Sequence, residues 1–139
     1  MSLNQLGRTL MLRGDLAGAE RCAERSLREN ESISNREGIV QSIHLLGTIL
    51  GFTDRTATAV TLLQDAAQTY RTIGNRTGEA SARFHLAEVL DRIGESAGAY
   101  EALTAARSLV QTSGDARLRE AIQRFAETQG LTSRPAAST

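Results

Sequence analysis

Lysine and tryptophan are absent from the chain, and proline and cysteine occur once each. Without lysine there is no phosphate loop of the Gly-x4-Gly-Lys type, because that loop needs the ammonium to reach the phosphates. The single cysteine, Cys22, excludes an internal disulfide and a thiolate metal cage. It falls on an apolar helical stripe with no histidine near it in sequence, so it reads as a buried thiol and not a nucleophile. Aromatics make up 4% of 139 residues, which leaves Leu, Ile, Val and Ala to build the core. Small unbranched residues suit helix on helix far better than sheet on sheet. No charge of one sign dominates: sixteen acidic residues balance sixteen arginines. A neutral chain lacks the field that gathers nucleic acid or an anionic membrane. No apolar run approaches the roughly 18 residues of a spanning helix, and no leader pattern opens the chain. The expected compartment is the cytoplasm, with neither nucleic acid nor membrane as partner.

What is present is a repeat. Leu3-Asn4-Gln5-Leu6-Gly7-Arg8-Thr9-Leu10, Ile43-His44-Leu45-Leu46-Gly47-Thr48-Ile49-Leu50 and Arg83-Phe84-His85-Leu86-Ala87-Glu88-Val89-Leu90 lie forty residues apart. Turn signals fall about every twenty residues, the rhythm of paired helices, and two-residue alternation never persists. The spacing predicts helices over about 2–13, 15–32, 35–53, 56–73, 75–93, 96–113 and 116–129. Gly14, Gly74, Gly94, Gly114 and Gly130 act as stops. Asp15, Asn35, Asn75 and Ser96 are the expected caps.

Within each copy the pattern is large-x2-Leu-small-x2-large, followed by Ala-x3-large at Ala19-Ala23, Ala59-Leu63 and Ala99-Leu103. This resembles the tetratricopeptide repeat. The small residues Gly7, Gly47 and Ala87 fit where two helices approach closely, and the alanines do the same from the opposite helix. The copies depart from the family pattern in three ways. Their period exceeds its usual length of about 34 residues, Arg83 stands at a large apolar position, and the usual aromatics and helix-ending proline are missing. The longer period and the junction Gly74-Asn75-Arg76-Thr77-Gly78-Glu79-Ala80 are similar to repeats of bacterial signalling ATPases and transcriptional regulators, and of Leu-Gly-Asn-type adaptors. HEAT and armadillo arrays share a period near forty, but the Leu-Gly and Ala spacings disfavour them.

The resemblance implies an all-α, right-handed α-α superhelix of three hairpins, spanning about 1–34, 35–74 and 75–114. A capping helix at about 115–129 and a flexible tail at 130–139 complete it. It further implies a protein-interaction scaffold, the sensor or adaptor part of a bacterial regulator, that grips a peptide or partner segment in a concave groove lined by the first helix of each pair. The expected wall is Asn4, Arg8, Met11 and Leu12, then Gln41, His44, Thr48 and Phe52, then Phe84, Glu88, Asp91 and Arg92. Arginines there suit carboxylates, acids suit basic side chains, and the apolar members supply contact area. The alternative for any one of them is a solvated face. The Lys-and-Asn clamp that some members use for C-terminal carboxylates is excluded by the lack of lysine. The N-terminal end, with Leu3, Met11 and Leu12 partly uncovered, has two readings: the chain is the tail of a longer array or multidomain regulator, or this end pairs with a second copy. The alternatives to a groove ligand are a homo-oligomerisation module and, less favoured, a nucleic-acid-binding or enzymatic helical domain. No cofactor, metal or catalytic residue is expected. His44 and His85 stand on different hairpins, and no acid, base and nucleophile converge.

Overall fold

In the computed structural model, residues 1–132 are described, and among them every regular element is an α-helix. The helices are α1 (Leu3–Leu12), α2 (Leu16–Ser32), α3 (Arg36–Leu50), α4 (Thr56–Thr72), α5 (Arg76–Arg92), α6 (Ser96–Ser113) and α7 (Ala116–Thr128). The expected fold class of tetratricopeptide-like helical pairs is thus observed. The described residues divide into two compact units, the first ending at residue 66 and the second beginning at residue 67, with the boundary inside α4.

Local chemistry sets the helix ends. Ser2 and Gln5 form a reciprocal capping box: the Gln5 N–H donates to Ser2 Oγ at 3.1 Å and the Ser2 N–H to Gln5 Oε1 at 2.9 Å. Asp15, Asn35, Asn75 and Asp115 each accept a backbone N–H three residues on, at 2.8–3.1 Å. Ser96, an expected cap, is instead the first residue of α6, and Glu95 precedes it without a side-chain bond. The break before α3 has no glycine: Ser34 takes φ +54°, the left-handed conformation that Gly74 takes at the equivalent junction.

In the first unit α1 packs on α2, and α2 on α3. Ala19 and Ala23 of α2 are fully buried. Gly7 brings α1 close to α2, since a β-carbon there would stand 3.4 Å from the Ala19 carbonyl oxygen and from the Cys22 β-carbon. Cys22 is half-buried, less enclosed than its stripe suggested. Gly47 lets α3 approach α4 more tightly still, with Leu63 Cγ 2.9 Å from where a β-carbon would be. A buried polar contact also joins the helices. The Ser42 hydroxyl donates to the Gly38 carbonyl at 2.8 Å and meets Ser26 Oγ at 2.9 Å. Asn4 Oδ1 lies 3.4 Å from the same hydroxyl. At the surface, Arg55 forms a two-bond fork with Glu20. That hydrogen bond holds the Glu20 carboxyl below its ordinary pKa, against the opposing effect of burial.

In the second unit α5 packs on α6 and α6 on α7. Ala80, Leu86, Ala87, Ala99, Leu103, Ala106, Val110 and Ile122 form its core. The Arg83 departure has a structural answer. Its Nε donates to Glu79 Oε2 at 2.7 Å, one helical turn back, and Glu79 is 6% exposed. Beyond Gly130, Leu131 is buried and its N–H donates to the Ala126 carbonyl at 2.8 Å. The remainder of the expected tail, 133–139, lies outside the described residues.

Candidate interaction surface

On α1 of the first unit, Arg8 is exposed and Leu12 is 80% exposed at the helix end; Asn4 and Met11 are half-buried. Asn4 turns toward Ser42, so it contributes to the seam between α1 and α3. On α3 and just past it, Gln41 is exposed, His44 and Thr48 are half-buried, and Phe52 is 53% exposed. Thr48 Oγ1 donates to the His44 carbonyl at 2.9 Å, which leaves its lone pairs for an incoming donor. Leu12 and Phe52 hold the same position of successive repeats. Each presents a large apolar side chain to water at the C-terminal end of its helix. Burying such a side chain is worth about 1.5–3 kcal/mol, so this position can supply binding energy.

In the second unit the expected set divides. Phe84 is a correction: it is buried, its ring meeting Phe125 of α7 edge-on at a centroid distance of 5.7 Å. The helix after the third pair covers this position, so Phe84 is packing and not wall. Glu88 and Asp91 are half-buried and Arg92 is exposed. Burial pushes the Glu88 carboxyl above its ordinary pKa, with Arg92 acting in the other direction. The sign of the consequence follows. A folded-state pKa above the unfolded one gives stability that is complete below the unfolded carboxylate range and is lost as pH rises through the folded value. Glu88→Gln is therefore expected to raise the denaturation midpoint at pH 7, with the gain disappearing below about pH 4. Urea titrations at both pH values measure it.

The sequence reading missed a cleft of about 540 Å³ in the second unit. Arg71, Gly74, Arg76, Glu79 and Arg83 line one side, and Ala105, Ser108 and Leu109 of α6 the other. The available signal was Arg83 itself, a charge where the repeat calls for an apolar residue. Among the described residues no three His, Cys, Asp or Glu side chains cluster to hold a metal. No helix among them is long and apolar enough to cross a membrane.

Paired helices with a small residue at each close approach and a forty-residue register define a helical-repeat scaffold. Residues 1–37, which are α1, α2 and the turn after them, match the sequence model of the family described as Tetratricopeptide repeat. That match supports a tetratricopeptide repeat in this segment, about a quarter of the chain. Repeats of this family generally serve as protein–protein interaction scaffolds and typically are not enzymes. No curated protein matches the chain.

Proposed function

We propose that the chain binds a peptide or partner-protein segment on the first-helix faces of its repeats. In the first unit the contact residues are Leu12 and Phe52 with Arg8, Gln41, His44 and Thr48 around them. In the second they are Glu88, Asp91 and Arg92. The observation that carries this reading is the paired exposure of Leu12 and Phe52 at one repeat position. Two large apolar side chains exposed at one repeat position are what a segment bound across successive repeats would need as anchors. Glu88 adds support, because a half-buried carboxylate costs stability and an incoming basic group would offset that cost. The forty-residue period and the junction at Gly74–Ala80 favour the sensor or adaptor part of a bacterial regulator as its setting.

A displayed random-peptide library selected on the chain tests this. Leu12→Ala with Phe52→Ala should weaken the selected peptides by about 30-fold or more, the loss of an anchor worth about 2 kcal/mol. Helical circular dichroism should not change. Peptides that bind the double variant as tightly as the parent would place the binding face elsewhere. A second reading, self-association through α1, is favoured by the exposure of Met1 and Leu6 (89% and 38%). A light-scattering mass of one chain at micromolar concentration removes it.

A further inference from the structure

The cleft of the second unit holds three guanidinium groups and one carboxylate, in a chain whose net charge is zero. Glu79 is committed to Arg83. Arg71 and Arg76 have no hydrogen-bonding or ion-pairing side-chain partner among the described residues. Two positive charges thus border the same hollow without compensation.

The repeat supplies an internal control. Residues needed only to build a hairpin should recur every forty positions. Arg71 corresponds to Glu31 and Gln111, Glu79 to Ile39 and Arg119, and Arg83 to Ile43 and Gln123, whereas Arg76 recurs as Arg36 and is replaced by Ala116. The second copy therefore makes the same junction with two isoleucines where the third has a largely buried ion pair. Replacing apolar contact with a buried ion pair is not a route to stability, since desolvation offsets much of the attraction. Helix electrostatics do not explain the arginines either. Arg71, in the last turn of α4, does suit the negative helix end. Arg76, the first residue of α5, stands at a positive end, where a cation is disfavoured unless an anion is present.

We propose that this cleft binds a phosphate monoester. One arginine fork already satisfies a carboxylate, whereas two unpaired forks and the free end of Arg83 offer more donors than two oxygens can accept. A phosphate monoester brings three acceptor oxygens and a charge of about −1.5 to −2 at neutral pH, which matches the uncompensated charge. The hollow is larger than a phosphate group alone. Ala105 and Leu109 give its far side an apolar surface for the organic part of the ester. A volume of about 540 Å³ lies within the range of small-molecule sites, about 300–1,000 Å³.

The test is a set of amide-resolved NMR titrations of the whole chain at fixed ionic strength, with inorganic phosphate, phenyl phosphate, benzoate, and a phosphoserine peptide beside its unphosphorylated form. Phenyl phosphate should bind more tightly than inorganic phosphate and benzoate, with saturable shifts confined to about residues 71–83 and 105–109. Arg71→Ala with Arg76→Ala should weaken it at least about tenfold, the loss of charge-assisted hydrogen bonds. Both residues are exposed, so the helical spectrum is expected to hold. Arg71→Lys with Arg76→Lys should fall between, keeping the charge without the forks. If the phosphopeptide binds more tightly than phenyl phosphate, and its unphosphorylated form does not bind, the ester is protein-borne. Equal binding of benzoate, shifts spread over the surface, or an unchanged constant in the alanine double variant would overturn the proposal.

Discussion

Leu63→Ala is expected to cost about 3–5 kcal/mol, the upper part of the range for a buried leucine. Leu63 is fully buried, and its branch point fits against the bare α-carbon of Gly47. The cost of a truncation depends on how far its neighbours can collapse into the space. Glycine has no side chain to move, so only the backbones of α3 and α4 could close the gap, and helices resist that. A double-mutant cycle checks the argument. Gly47→Ala alone should destabilise, because the added carbon would stand 2.9 Å from Leu63 Cγ. In the Leu63→Ala background the same change should stabilise, since the carbon then enters the hole and glycine is a poor helix former. A coupling energy near zero in guanidinium denaturation would mean that the two residues do not share the space.

Gly78→Ala should cost about 1–3 kcal/mol, although it removes a glycine from a helix and ought on propensity alone to gain up to about 1 kcal/mol. The new carbon would lie 2.5 Å from Cδ1 and Cε1 of Tyr70. Tyr70 is 4% exposed, so its ring has nowhere to swing. Gly38, forty residues earlier, is the comparison. There the obstruction is Asn30 Oδ1 at 2.0 Å, the end of a shorter side chain that can turn away at the loss of its hydrogen bonds. Gly38→Ala is therefore expected to be the milder of the two. Equal midpoint shifts would show that the backbone, not the preceding helix's last turn, decides both.

These two cases show what the amino-acid order disclosed and what it withheld. Helix positions and the forty-residue register were legible because glycine stops, Asx caps and apolar spacing act through neighbours in sequence. Gly7 and Gly47 were legible as close approaches because the pattern repeats them. Gly78 stood inside a quoted junction, yet its reason is Tyr70 on the preceding helix, which no local rule links to it. Phe84 was misplaced for the same kind of reason. Its register puts it on a first-helix face, but the final helix covers that face, and a one-dimensional pattern cannot say how far a cap reaches. The burial of Glu79, named in the same junction, was not legible because a glutamate on a helix ordinarily faces water. Only the conspicuous Arg83 hinted that a buried partner existed.

The Ser26–Ser42 contact has a consequence for how the first hairpins find their alignment. Leucine and alanine interdigitate nearly as well after a slip of one turn, so greasy surfaces alone tolerate sliding. A hydroxyl pair sealed from water tolerates it less, because displacement breaks the bond between the serines and leaves each oxygen only the partner on its own helix. Those two serines work as a dowel: they add little grip, but they favour one seating of α2 against α3.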